Sequence, residues 1–361
     1  MIKRKLFITG FPGFIGSRLV RELLSRYPDI EVVALIQRKF AHSAEASKVR
    51  IVSGYPDFER RFSFVFGDIT QNMLGVSEWK SVCEGITQIF HLAAAYDLGI
   101  QREVGMRVNV EGTKNVIDFA RHCKNLTRFD YVSTAYVSGF STGVFSELDF
   151  DRGQKFKNYY EETKFIAEKV VRDAHDIPYV IYRPGIVVGD SVTGETSKYD
   201  GPYYVLKMMK SLPVHFPFPR IGDGNAEVNL VPVDYVVNSM VSIAGDPGAI
   251  KNTFHLVDPM PLTVRQLQDL FSMKLKRKFI FYSFPVSLAK ISLRMPVLKN
   301  IYRMPVELVD YFVHKVHYEN RFTREFLSRY RIECPQFSTY FGSLLKFFLE
   351  HDAEDLQGIM I

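Results

Sequence analysis

The stretch TGFPGFIGS, residues 9–17, stands between an apolar run, KLFIT at 5–9, and an amphipathic one, FIGSRLVRELLSRY at 14–27. The first reads as a strand. The second has its apolar residues at helical spacing and reads as a helix. Gly10, Gly13 and Gly16 fall in the turn between them. Glycines in a strand–turn–helix context permit a tight reversal and let a pyrophosphate approach the helix N-terminus, as in a dinucleotide-binding βαβ unit. The spacing is GxxGxxG rather than GxGxxG. The same glycines interrupt what would otherwise look like a secretory signal, a basic start followed by apolar residues.

Working outward, short apolar runs alternate with longer amphipathic ones, which predicts parallel strands joined by crossover helices. EVVALI (31–36), FSFVFGD (62–68), ITQIFHLAAA (86–95), RFDYVSTAYV (128–137) and IPYVIYRP (177–184) are the next strands, and NTFHLVDP (252–259) is the last. Their nearly continuous apolar character implies burial on both faces. The expected fold is therefore α/β, a doubly wound Rossmann-type parallel sheet with helices on both faces. Beyond about residue 190 the rhythm fails and Pro, Gly and aromatics take over. Residues 1–190, with 225–258 returning to them, are expected to form a nucleotide-binding domain. Residues 191–224 and 259–361 are expected to form a smaller, mostly helical substrate lobe.

Bulk properties bound the function. A chain of 361 residues, 47% hydrophobic and 24% charged, has the make-up of a globular protein large enough for an added lobe. A formal charge of +6 suits an anionic ligand or surface but is small for a nucleic-acid binder, and no nucleic acid is expected. Cys83, Cys123 and Cys334 are far apart, without CxxC or paired-His spacing, so no metal site is expected. No run of 18 residues is apolar enough to span a bilayer, since Lys290 and Arg294 interrupt the best candidate. A cytoplasmic protein, at most lying on a membrane surface, is the expectation.

The second strand ends LIQRKF, with Gln37, Arg38 and Lys39 where an acid would bind ribose hydroxyls. A basic residue there accommodates a 2′-phosphate, which favours NADP(H) over NAD(H). Residues 158–164 read NYYEETK and place Tyr160 four before Lys164, but Tyr203/Lys207 and Tyr311/Lys315 repeat that offset. Spacing alone does not choose among the three pairs.

Seven elements in order do choose: TGFPGFIG, GDIT (67–70), HLAA (91–94), NVEGTKNV (109–116), VSTAYVSG (132–139), the Tyr160/Lys164 pair and YRPGIVVGDSVTGE (182–195). With these the chain resembles an extended short-chain dehydrogenase/reductase of the epimerase/dehydratase superfamily over roughly residues 4–260. Within it, STAYV and RPGIVVGDSVTGE resemble the thioester reductase and fatty acyl-CoA reductase, or male sterility, branch. The resemblance implies Thr134, Tyr160 and Lys164 as catalytic residues, and Ser133 points to the other face of its strand. It implies cofactor contacts from Gly10, Phe11, Gly13, Phe14, Ile15, Gly16, Arg38, Asp68, Ile69, Ala93, Tyr160, Lys164, Pro184 and Ile186. Asp68 also reads as a strand-end cap, and Asn109 as a structural or relay group. Tyr203 falls in the Pro-rich lobe, and Tyr311 is expected on a distal helix.

Related sugar-nucleotide enzymes usually carry an asparagine where this chain, counted from Arg183, has Ile186, which argues for an apolar substrate. The runs MMKSLPVHFPFP (208–219), FIFYSFPVSLAKISLRMPVL (279–298) and FGSLLKFFL (341–349) suit an acyl or sterol-like chain, or the lobe's own core. KLKRK at 274–278 suits an anionic membrane, a CoA or phosphopantetheine phosphate, or a solvated loop. The expected function is reduction of a hydrophobic carbonyl, with a fatty acyl thioester as the leading substrate. The alternatives are a ketone or secondary-alcohol dehydrogenase, a sugar-nucleotide epimerase or dehydratase, and an NADPH-sensing regulator. Expected partners are a hydrophobic or acyl-thioester substrate, a peripheral membrane contact through 274–294, and a second copy in a homodimer.

Overall fold

A computed structural model describes residues 4–295 and 305–351. The end of the 279–298 run and the last ten residues of the expected lobe lie outside these. Seven strands form one parallel sheet: β1 (Arg4–Thr9), β2 (Ile30–Ile36), β3 (Phe62–Phe66), β4 (Ile86–His91), β5 (Arg128–Val132), β6 (Tyr179–Pro184) and β7 (Thr253–Leu256). Their spatial order is β7-β6-β5-β4-β1-β2-β3. The strand order reverses between β1 and β4, so the connections after these two strands leave in opposite directions and open a crevice at the C-terminal edge of the sheet.

Both faces of the sheet are covered. Helix α1 (Phe14–Arg26) packs Leu19, Val20, Leu23 and Leu24 into one core, together with Val236, Met240 and Ile243 from a later helix. On the other face, α2 (Gly112–His122) contributes Val116, Ile117, Phe119 and Ala120, and α3 (Tyr159–Asp173) contributes Ala167 and Val171. The helix α4 (Val233–Ala244), reached from the strand Leu230–Pro232, is buried over nearly its whole length. This is why VDYVVNSMVSIA shows almost no polar face.

Two sequence expectations differ from the structure. RFDYVSTAYV is not one strand: the ladder ends at Val132, and Ala135–Ser138 forms a 3-10 turn capped by the Thr134 hydroxyl, which accepts from the Tyr136 amide at 3.2 Å. A threonine oxygen aimed at its own backbone competes with the extended ladder, and here it prevails. The region after residue 260 is also less helical than expected. Lys278–Phe284 is a strand that pairs in parallel with His215–Ile221.

The apolar runs beyond residue 200 mostly pack on one another. Met209, Phe218, Phe279, Phe341, Leu344 and Phe348 are buried in one cluster with Tyr203 and Phe271. Of the two readings of those runs, the structure thus supports the lobe's own core. Among the described residues no helix is long and apolar enough to cross a membrane, and no His/Cys/Asp/Glu group could hold a metal.

Candidate active site

At the end of β1 the three glycines converge on one carbonyl. The Gly13 amide donates to the Gly10 oxygen at 3.0 Å, and a methyl on Gly13 would lie 2.8 Å from that same oxygen. Gly16 presses even closer on it, and any side chain there would overlap it. Gly10 has φ +88°, and a Cβ on it would lie 2.9 Å from the Ala93 nitrogen and from Leu92. Each glycine is required because backbone meets backbone, not merely for flexibility. The result is a helix α1 whose N-cap, Gly13, supplies no capping side chain, so its first amides face the crevice edge.

The side chains around this turn divide. Phe11 is buried, 5.1 Å from Phe62 and 5.5 Å from Phe64, so only its backbone faces the crevice edge. Ile15 packs on the same core, and Phe14 carries the Arg18 guanidinium 4.4 Å above its ring. Arg38 is exposed at the end of β2, its guanidinium 4.9 Å over Phe66.

Asp68 behaves as a strand-end cap. Its carboxylate accepts from Gln37 at 2.8 Å and from both the amide and the hydroxyl of Thr70 at 2.8 Å. Ile69 is buried against Gly112, where a methyl would lie 2.8 Å from its Cδ1. Ala93 donates its amide to the Thr9 hydroxyl at 3.1 Å, which locks the β4 loop to the end of β1. Asn109 holds the next part of that loop, accepting from the Ala95 amide at 2.7 Å and donating to Thr163 at 3.0 Å.

On α3, residues four apart share a face, and Tyr160, Lys164 and Glu168 form one stripe against β5. Asn158 starts the helix, its side chain accepting from the Glu161 amide at 3.0 Å. The Thr134 hydroxyl lies on the Tyr160 side of β5, near enough to the phenol to favour its ionised form. Ser133 turns inward, donating to Glu168 at 2.6 Å. Lys164 is only 3% exposed and donates to the Tyr131 hydroxyl at 3.0 Å and to the Val132 carbonyl at 2.7 Å. Its amine is therefore held at Val132, two residues before the Thr134 that neighbours the phenol it is expected to assist.

Burial sets the ionisation of the stripe. It raises the Tyr160 phenol, with Glu161 adding to the rise and the nearby Thr134 hydroxyl opposing it. Burial lowers Lys164 to about 7, partly opposed by the Glu168 charge. Glu168 is itself buried, yet Arg183 and Arg172 together with Ser133 outweigh the desolvation and hold it down at about 2. The phenol is thus a proton donor at neutral pH, while Lys164 is poised to exchange a proton there.

The other two Tyr/Lys pairs lose their meaning in three dimensions. Tyr203 is buried in the cluster of Phe218, Phe271 and Phe348, and Lys207 is exposed. Tyr311 is on the 3-10 helix Val306–Val313, which ends before Lys315. It is not distal, contrary to the sequence expectation: its hydroxyl donates to Glu161 at 2.8 Å and accepts from Asn158 at 3.1 Å. The C-terminal segment therefore touches the first turn of α3, a contact that only the fold creates.

Several residues at the site carried no usable sequence signal. Tyr96 stacks edge-on against Tyr160, with ring centres 5.1 Å apart. Lys198 lies 5.1 Å over Tyr96 and pairs with Asp200 at 3.3 Å. Burial raises the Asp200 carboxyl. His91 bridges Thr9 at 2.8 Å and Thr113 at 3.0 Å, and burial, with Lys164 nearby, lowers it to about 3, so it is neutral.

Pro184 closes β6 and is buried. Ile186 lines a crevice with Val205, Phe271, Leu308 and Phe312, whose free volume is about 40 Å³. That is room for little more than one water-sized group, so a chain enters only if these side chains part. A larger groove of about 560 Å³, between α1, α4 and residues 330–335, contains none of these residues.

The profile of a family described as male sterility protein matches residues 8–240. A nonribosomal peptide synthetase, asaC of Aspergillus flavus, is 28% identical over 281 residues, which are 71% of this chain and 26% of that one. The fatty acyl-CoA reductase wat of Drosophila melanogaster is 27% identical over 283 residues, 67% of this chain and 54% of that one. The chain thus spans about a quarter and about half of these two relatives. Among solved structures, the terminal R domain of the myxalamid PKS-NRPS pathway superposes with a TM-score of 0.79 at 23% identity, covering 99% of this chain and 93% of its own. A dTDP-glucose 4,6-dehydratase of Streptomyces venezuelae solved with NAD and TYD gives 0.68 at 21% identity, covering 98% and 99%. At these identities the structures speak for the fold.

Proposed function

The chain belongs to the male sterility protein family of NAD-binding proteins, and on that premise we propose that it is an NADPH-dependent reductase of hydrophobic acyl thioesters. The observation that carries the reading is the meeting of two devices at one sheet edge. The glycine turn after β1 and the Thr134–Tyr160 hydroxyl pair after β5 flank β4, at the point where the strand order reverses. The relatives that are a peptide synthetase and a fatty acyl-CoA reductase support the thioester class.

The residues present fit a dinucleotide. Gly10, Gly13 and Gly16 form a cradle that any Cβ would fill, and the uncapped start of α1 offers amides to a pyrophosphate. Arg38 would hold a 2′-phosphate, Asp68 and Ile69 would border the adenine, Ala93 and the Pro184–Ile186 turn would border the nicotinamide half, and Lys164 the ribose. When bound, the reduced nicotinamide supplies a hydride to the substrate carbonyl carbon.

Thr134 and Tyr160 would hold the carbonyl oxygen, where negative charge develops, and the phenol would give up its proton to it. The resulting hemithioacetal loses the thiol, and the aldehyde forms. Lys164 would move from Tyr131 toward the site, where its charge lowers the cost of a phenolate on Tyr160. Residues 1–190 with 225–258 would form the cofactor domain, and 191–224 with 259–361 the substrate lobe.

The test is NADPH oxidation with a long-chain acyl-CoA, beside the matching aldehyde and a hydrophobic ketone, in the native chain and in Tyr160→Phe. The expected result is acyl-CoA turnover that the variant loses while retaining NADPH affinity. Turnover of ketone alone would overturn the thioester assignment, and unchanged turnover in the variant would overturn the role of Tyr160.

A further inference from the structure

Between residues 270 and 306 the chain carries eight Lys or Arg and no Asp or Glu. In the described part of this segment, up to Met295, apolar side chains stand exposed among the basic ones. In the ribbon of Lys278–Phe284 with His215–Ile221, Phe279, Phe281 and Phe218 turn inward to the lobe core. The alternate residues turn outward: Lys278 beside His215 and Ile280 beside Pro217, then Tyr282. Ile280 is 72% exposed and Tyr282 43%.

Pro285 then caps α5 (Val286–Arg294), which buries Ala289 and Leu293. Leu288, Ile291 and the following Met295 are 49%, 58% and 53% exposed. Leu288 and Ile291, three apart, share one helix face, and Met295 follows directly on the helix end. Single exposed apolar side chains are ordinary, but two consecutive elements that each present an apolar face mark an interaction surface. Lys274, Lys276, Lys278 and Arg294, all exposed, accompany these faces in the sequence.

We propose that this ribbon and helix dock on an anionic lipid bilayer. Leu, Ile, Met and Tyr side chains enter the headgroup boundary, while lysine stems lie along it with their ammonium groups among lipid phosphates. A bilayer fits better than a protein partner because lysine is depleted from the cores of protein interfaces and is enriched where apolar faces meet anionic lipid. The segment has no acidic residue of its own, and although Lys290 is paired with Asp310, the exposed Lys274, Lys276, Lys278 and Arg294 give the matching charge. The surface uses none of the residues assigned to hydride transfer.

Co-sedimentation of the full chain with vesicles of neutral phosphatidylcholine, and with vesicles containing added phosphatidylserine, tests this. Binding is expected only to the anionic vesicles and should weaken with salt. Each basic residue near such a surface contributes roughly fivefold to partitioning, so Lys274→Gln/Lys276→Gln/Lys278→Gln should lose on the order of a hundredfold. Ile280→Asp/Leu288→Asp should lose binding too, with melting and NADPH affinity unchanged because both side chains are exposed. The proposal fails if the native chain ignores anionic vesicles or if both variants bind them as it does. Since the assay needs neither substrate nor turnover, its outcome is separate from that of the reductase reading.

Discussion

Replacing Lys164 by Met removes a buried amine and leaves a side chain of similar length. Burial lowers this lysine from its ordinary 10.5 to about 7. At about 1.4 kcal/mol per pKa unit, keeping it in the interior costs on the order of 4 kcal/mol at pH 7. The substitution also strips a donor from the Tyr131 hydroxyl and the Val132 carbonyl, losses of about 1 kcal/mol each. The net expectation at pH 7 is a gain of roughly 2 kcal/mol, or about 3 °C in melting temperature for a chain of this size, while turnover is lost. The sign depends on pH. Below about pH 7 both folded and unfolded chains hold the proton and the full cost is felt. From there to 10.5 only the unfolded chain holds it, so native stability rises with pH. The Met variant has no such proton, so its advantage should shrink and reverse toward pH 10. Thermal melts of both proteins between pH 6.5 and 10, compared as a difference, read this directly. A difference that stays constant across that range refutes the buried-amine account.

Arg38→Ala should weaken NADPH roughly ten- to a hundredfold, as for loss of a charged hydrogen bond, and leave NADH nearly untouched. Titrating both nucleotides by fluorescence checks it, and equal losses would show that Arg38 does not read the 2′-phosphate. Glu168→Gln leaves the fully buried Arg183 without its counter-charge and should cost about 3–5 kcal/mol in urea unfolding. Because Glu168 is held at about 2, its contribution is present above its ordinary 4.5 and lost as pH falls from there toward 2. A variant that melts like the native chain at pH 7 would contradict this.

The parallel sheet was legible because its strands are short, continuous apolar runs bounded by turn residues, and the glycine turn because its context fixed its meaning. RFDYVSTAYV shows where such reading stops. Its apolar rhythm continues to Val137, but the Thr134 oxygen accepts a local amide and ends the strand five residues early. Lys278–Phe284 was missed as a strand for a related reason, since a partner more than fifty residues away decides it and the intervening Pro-rich sequence gives no hairpin signal. Tyr311 was placed far from the site because only its local setting was readable, and its bond to Glu161 spans 150 residues. Tyr96, Lys198 and Asp200 come from two distant loops, and no spacing rule links them.

The i, i+4 series Tyr160, Lys164, Glu168 reaches from the candidate site into the core. Its members meet three environments in order: the crevice mouth with Thr134 and Tyr96, the dry face of β5, and the ion-paired interior with Arg183. Glu168 is held by two arginines and by Ser133, so the helix cannot rotate or slide without breaking a buried ion pair. That anchor lies two turns below Tyr160, and Ser133 is the immediate neighbour of Thr134. A displacement of the Arg183–Glu168 pair would therefore reach both hydroxyls together, through α3 on one side and the end of β5 on the other. The buried Glu168 contacts thus tie α3 to the end of β5 beneath both hydroxyls, and the buried amine between them is the destabilising element that the anchor offsets.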